Sequence, residues 1–350
     1  MKSAPKRIAI ISDAWEPQIN GVVTTLKKTG FFLKKKDYDV KFFTPESYYS
    51  IPCPTYPEIR LAVFCRKKLT RDLGLYNPNA IHIATEGPLG LAGRRYCITN
   101  KILFTTSFHT QFPEYLRMRI PVPINWTYSW LKLFHGKSQC VMVPSKSRKS
   151  ELERRGFKNV AIWSRGVDTE IFNNDNPFPY QLPRPIHIYM GRVALEKNIS
   201  SFLDLKLEGS KVVIGDGPDL KHLSSIYTET HFLGVKRGKE LASYLSGGDV
   251  FVFPSKTDTF GIVMLEAMAC GLPIAAYPVE GPQDIVKQNY CGVLNDNLYD
   301  AISGALKISK DSCINYATNF SWDRCTQTFE SNLKLNHPLY QYKRELTFPS

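Results

Sequence analysis

An α/β chain made of two Rossmann-like halves is predicted by three features of the 350-residue sequence. Short apolar runs at 7–11, 39–44, 80–84, 102–107 and 140–144 alternate with helical patterns, as in a parallel sheet wound with helices. A second alternating series starts at 186. Between them, residues 173–185 are polar and proline-rich with no helical period, which reads as an interdomain linker.

The first run, 7–11, leads through a loop holding Gly21 into a helix from about Val22 to Lys35, and the strand 39–44 follows. The second series places strands at 186–190, 211–214, 250–254 and 273–277, each followed by a glycine or a helical pattern. No short-period repeat is present, so the repetition is one domain type used twice. The expected division is 1–170, 171–325, and a terminal helix and tail over 326–350 that returns toward the first domain.

Composition supplies two cores, with 43% hydrophobic residues, and excludes a membrane-spanning chain, since no apolar run approaches the roughly 18 residues that a span needs. The basic start from Met1 to Arg7 runs straight into a strand and not into a signal-peptide core, so a cytoplasmic location is expected. Eight cysteines without a CxxC pair or metal-ligand spacing read as reduced structural thiols.

Charge is uneven. Through residue 168 there are 28 Lys and Arg against 12 Asp and Glu, and beyond it 17 against 20, so the halves carry +16 and −3. A polyanionic partner is expected for the first half, either an anionic membrane surface or nucleic acid. No RNA or DNA motif accompanies the charge, which leaves the membrane. The segment 112–137 joins Arg117 and Arg119 to Trp126 and Trp130, a composition that suits an interfacial anchor at the inner face of the membrane. A core helix packed on the first sheet is the competing reading for the two tryptophans.

The most informative stretch is 254–273. It sets Asp258 and Glu266 eight positions apart around the start of a helix whose Ile262, Leu265 and Ala269 can face a core. Amides near Phe260 and Gly261 offer several donors at one place. Carboxylates are strong acceptors for vicinal hydroxyls, so Glu266 suits the ribose of a nucleotide sugar and Asp258 its hexose. The alternative is a buried helix with Asp258 near its N-cap.

That stretch resembles the acidic-x7-acidic signature of the family 4 retaining glycosyltransferases, with Asp258 where Glu is usual. Gly191-Arg192-Val193-Ala194-Leu195-Glu196-Lys197-Asn198, Gly215-Asp216-Gly217-Pro218 and the 249–255 strand stand in that family's order. The segments from Ser12 to Val23 and from Phe108 to Tyr115 are similar to it as well. The resemblance implies a GT-B architecture, two Rossmann-like domains facing a cleft, with acceptor on the N-terminal and donor on the C-terminal domain. It implies donor-binding roles for Asn20, Gly21, Gly191, Gly215, Phe260, Gly261, Ile262 and Glu266. Arg192 and Lys197 meet the diphosphate, whose charge grows as the sugar leaves. His109 lies against the sugar, and Asp258 completes the catalytic set. Family members generally need no divalent metal, so neither a metal site nor a cofactor is expected; the nucleotide sugar is a substrate. Transfer with retention to an acceptor lipid or glycan follows, GDP-mannose or a UDP-hexose or UDP-hexuronate being the donor and a lipid such as diacylglycerol the acceptor. A sugar-nucleotide epimerase and a non-catalytic nucleotide-sugar-binding adaptor are the competing classes.

Overall fold

The computed structural model describes residues 6–18, 21–53, 56–109, 123–258 and 260–336. The chain divides into two compact units. Among the described residues, the first holds those up to 109, 123–164 and 325–336, and the second holds 165–324.

The first unit runs β1 (Arg7–Ile11), α1 (Gly21–Lys35), β2 (Asp39–Phe43), a hairpin of β3 (Ser50–Cys53) and β4 (Tyr56–Ala62), and α2 (Arg66–Tyr76). It continues through β5 (Ala80–Ile83), α3 (Pro88–Thr99), β6 (Thr105–Ser107), α4 (Ile124–His135), β7 (Cys140–Val143), α5 (Lys146–Arg154) and β8 (Val160–Ile162). The parallel sheet has the order β2-β1-β5-β6-β7-β8. Residues 8–11 of β1 and all of β5 and β7 are buried. A strand covered on both faces must read as a continuous apolar run, which is why these strands were visible in the sequence. The 102–107 run shortens to 105–107 because Ile102 N bonds Cys97 O at 2.8 Å, which makes 100–102 the cap of α3.

The second unit runs β9 (Ile186–Met190), a 3₁₀ turn (Leu195–Lys197), α6 (Ser200–Leu203), β10 (Ser210–Ile214), α7 (Leu220–Ile226), β11 (His231–Phe232), α8 (Gly238–Ser246) and β12 (Val250–Phe253). Then come α9 (Ile262–Ala269), β13 (Ile274–Ala276), α10 (Pro282–Ile285), β14 (Gly292–Leu294), α11 (Leu298–Ala305) and α12 (Lys310–Ala317). Its parallel sheet has the order β11-β10-β9-β12-β13-β14, with the first strand of the unit at the centre. Chain order therefore reverses between β9 and β12 here, and between β1 and β5 in the first unit. Such reversal points splay the following loops apart and open a crevice at the carboxyl ends of the strands.

The units meet along the chain at Ser164/Arg165, six residues before the expected boundary. Residues 173–185 belong to the second unit rather than to a free linker. Phe178 N donates to Ser243 O at 2.8 Å, the Phe178 ring stacks on Tyr244 at 4.2 Å, and Tyr180 OH donates to Tyr244 O. The last helix, α13 (Trp322–Asn332), passes from one unit to the other. From Cys325 onward it packs on the first: Glu330 takes Lys36 Nζ at 3.1 Å and Tyr38 OH at 2.6 Å, and Asn332 Nδ2 donates to Ile162 O.

Candidate functional site

The reversal point of the second unit is built from three loops, after β9, β10 and β12. Gly191 ends β9 and Gly215 ends β10, with φ of 154° and 141°. A Cβ on Gly215 would lie 1.9 Å from Gly191 O, so the two turns touch backbone to backbone and only glycine fits. Val193 N donates to Asp216 O and Asp219 N to Val193 O, which locks the 191–197 loop onto the 215–219 loop. Tyr189, buried in β9, reaches forward to donate its hydroxyl to Arg192 O at 2.7 Å. Burial pushes that phenol's pKa up, with the charges of Asp258 and Glu196 adding to it.

The loop after β12 is tied to the same place. Asn198 Nδ2 donates to Pro254 O and Thr257 Oγ1 to Glu196 O, both at 3.1 Å. These ties bring two predicted residues together: Lys197 Nζ donates to Asp258 Oδ1 at 2.6 Å, each side chain keeping roughly a fifth of its surface in water. The other carboxylate oxygen, Oδ2, is buried with no hydrogen-bond partner among the described residues. Gly281 packs on this loop from the turn after β13, where a Cβ would meet Asp258 O at 2.9 Å.

Gly261 caps α9 in the left-handed region, φ 87°, with no side-chain cap. The first hydrogen bond of the turn is Met264 N to Gly261 O, so the amides of Ile262 and Val263 have no acceptor within the helix. Phe260 is buried in the core and offers only its backbone; Ile262 packs half-buried at its edge. Glu266 stands half-buried in the second turn of α9. Tyr189, Asn198, Thr257 and Gly281 were given no role in the sequence, although Asn198 and Thr257 lie inside the quoted segments 191–198 and 254–273.

In the first unit, Gly21 opens α1 and His109 follows β6, buried, with its Nε2 2.8 Å from Ser107 Oγ. Asn20, Arg117 and Arg119 lie outside the described residues. The reversal point of this unit is occupied by Asp13, which sequence reasoning did not assign. Its carboxylate accepts Leu89 N at 2.8 Å, Gly90 N at 3.1 Å and Thr85 Oγ1 at 2.9 Å, and so caps α3. Burial pushes its pKa up to about 6 against the pull of those donors. An Asp-x-Asp triplet, the spacing of metal-chelating glycosyltransferases of the GT-A type, does occur at Asp37-Tyr38-Asp39. It forms the turn from α1 into β2, with Asp37 left-handed at φ 61° and Tyr38 bonded to Glu330.

Helix α4 buries Tyr128, Leu131 and Phe134 and turns Trp126, Trp130 and Leu133 outward, 73%, 38% and 70% exposed. The core-helix reading thus holds for one face and leaves both tryptophans on the other. Among the described residues, no helix is long and apolar enough to cross a membrane.

Residues 19–171 match the family model described as Glycosyltransferase Family 4, and residues 172–311 match that described as Glycosyl transferases group 1. The chain is similar to a sulfoquinovosyl transferase of Arabidopsis thaliana, 27% identical over 333 residues, covering 83% of this chain and 63% of that protein, a little under two thirds of its length. It is similar to a GDP-mannose-dependent alpha-mannosyltransferase of Mycobacterium tuberculosis, 27% identical over 315 residues, covering 82% and 83% of the two chains. It is also 23% identical over 350 residues to an alpha-monoglucosyldiacylglycerol synthase of Streptococcus pneumoniae, covering 86% and 77%. In fold it resembles a sucrose-phosphate synthase from Thermosynechococcus elongatus, with a TM-score of 0.69, 20% identity and coverage of 93% and 98%. An Anabaena protein in complex with UDP and glucose gives 0.67, 13%, 93% and 98%. The two family models together run from residue 19 to residue 311, and the chain belongs to family 4 of the glycosyltransferases, enzymes of the GT-B fold that act on nucleotide sugars.

Proposed function

We propose that the protein transfers a hexose, with retention, from GDP-mannose or a UDP-hexose or UDP-hexuronate to the hydroxyl of a membrane lipid such as diacylglycerol. The observation that carries the donor half of this reading is the Lys197–Asp258 pair at the reversal point of the second unit. A lysine held by a carboxylate is already partly desolvated and oriented. An arriving diphosphate, with more charge than Asp258, takes over the ammonium and leaves Asp258 to accept sugar hydroxyls through both oxygens, one of which has no partner among the described residues. Arg192 joins Lys197 in neutralising the leaving nucleoside diphosphate without a divalent metal, and Glu266 accepts the ribose hydroxyls. The leaving phosphate takes the acceptor's proton, so no carboxylate nucleophile is required. The part given to His109, a hydrogen bond to the transferring sugar, rests on the family resemblance.

The acceptor half is supported by the outward Trp126, Trp130 and Leu133 of α4 and by the +16 charge of residues 1–168. Such a stripe suits the headgroup region of an anionic membrane, giving peripheral association at the cytoplasmic face. Two relatives, from Streptococcus pneumoniae and Acholeplasma laidlawii, are alpha-monoglucosyldiacylglycerol synthases by name. The test is nucleoside diphosphate release from GDP-mannose, UDP-glucose, UDP-glucuronate, UDP-galactose and UDP-N-acetylglucosamine, with and without mixed lipid vesicles containing diacylglycerol. Vesicle-stimulated release from one donor is expected, weakened by Trp126→Ala with Trp130→Ala. Release indifferent to vesicles overturns the lipid acceptor, and neither release nor donor binding overturns the enzyme reading.

A further inference from the structure

His109 ends a chain of four polar side chains through the interior of the first unit. Thr105 Oγ1 lies 2.9 Å from His82 Nδ1, His82 Nε2 lies 3.1 Å from Ser107 Oγ, and Ser107 Oγ lies 2.8 Å from His109 Nε2. The parallel register of β5 and β6 sets His82 against Thr105, and all four residues are buried. The rings of Trp163 and Phe329 close on His82 at 5.7 and 4.9 Å between centroids, and Trp163 meets His109 at 5.5 Å. Burial holds the His82 pKa down at about 3, so its ring is neutral at working pH and carries one proton on two nitrogens.

That proton decides the direction of each bond. On Nδ1 it would donate to Thr105, whose own hydroxyl proton would then have no acceptor among the described residues in a fully buried site, the costlier arrangement. On Nε2 it donates to Ser107 Oγ while the Thr105 hydroxyl donates to Nδ1. Ser107 then sends its own proton to Ala84 O at 3.4 Å or to His109 Nε2 at 2.8 Å, and the shorter contact wins. We propose that Thr105, His82 and Ser107 form a one-directional relay that holds His109 with its lone pair on Nε2 and its proton on Nδ1, so that His109 enters the reaction as a hydrogen-bond donor. Ser107 and His82 are positioning residues that act through His109.

Long-range 1H–15N spectra of protein labelled with 15N-histidine read the tautomers without substrate, with assignment by His82→Gln and His109→Gln. Expected are His82 protonated on Nε2 and His109 on Nδ1. Ser107→Ala shifts His109 toward the Nε2–H form, and Ser107→Thr, which returns the hydroxyl, restores the first state. A wild-type His109 protonated on Nε2, or a tautomer indifferent to Ser107→Ala, overturns the relay. The kinetic consequence rests on the part proposed for His109: Ser107→Ala lowers kcat about tenfold with donor KM unchanged, and Ser107→Thr recovers it. A shifted tautomer with unchanged kcat confirms the relay and overturns the part of His109 in the reaction.

Discussion

The two reversal points have the same parts, a strand end, a tight turn and a helix N-terminus, and the chain finishes them differently. In the first unit the crevice between β1 and β5 is filled from within. Asp13 spans it to Thr85 and takes the leading amides of α3, leaving that helix no donors for a ligand. In the second unit the corresponding helix, α9, is capped by Gly261, which has no side chain to give, and the acid of the preceding loop turns aside to Lys197. The first arrangement spends its carboxylate on structure. The second leaves, among the described residues, one carboxylate oxygen without a partner and the first amides of a helix without an acceptor in that helix, which is what an anionic, hydroxyl-rich donor needs.

Lys197→Ala tests that contrast most sharply. Loss of a cation that meets growing charge on the leaving diphosphate is expected to lower kcat about 10³-fold. Stability should fall by only about 1 kcal/mol, since both partners of the pair keep contact with water. Nucleoside diphosphate release and urea unfolding measure the two effects; a variant that unfolds while its residual fold stays active would reverse the assignment.

Asp13→Asn is expected to behave the opposite way, destabilising by about 3 kcal/mol because an amide group faces two buried N–H donors, with no direct effect on donor KM. The pH dependence has a definite sign. A carboxyl whose pKa is raised by folding adds stability below its unfolded value near 4, and that contribution is lost as pH rises through about 6. The gap between wild type and Asp13→Asn should therefore be widest near pH 4, shrink up to pH 6 and stay flat above. A gap that widens with pH would show that the α3 amides outweigh burial.

Legibility followed the kind of force involved. Strands β1 and β9 were bounded correctly because burial on both faces imposes an unbroken apolar run, as in Ile186–Met190. The Asp258 and Glu266 spacing was legible as a motif, but not that Lys197 reaches Asp258, which depends on the turns after β9 and β12 meeting. Asp13 was quoted within a motif without a role, since its capping of α3 is set by the register of β1 on β5. The β3–β4 hairpin was missed because Pro52, Pro54 and Pro57 argue against strands. Phe178 and Tyr180, inside a stretch read as linker, were the signal that it packs: aromatics rarely stay in water when a partner such as Tyr244 is at hand.

The smallest effect concerns Tyr189, whose hydroxyl fixes the carbonyl of Arg192 as the Ser12 hydroxyl fixes that of Ala14 at the first reversal point. Tyr189→Phe removes one buried hydrogen bond and fills the same space, so a loss of about 1 kcal/mol is expected by urea unfolding. The loop from 191 to 197 stays pinned by Val193 N to Asp216 O and by Asn198 Nδ2 to Pro254 O, so Lys197 should still find Asp258. Transfer should then fall only a few-fold, and mainly in kcat, because a slightly looser Arg192 costs the departing diphosphate more stabilisation than it costs the bound donor. A loss as large as that of Lys197→Ala would mean that the loop has a single pin, and that the second crevice is held open by the Tyr189 hydroxyl rather than by its interlocked glycine turns.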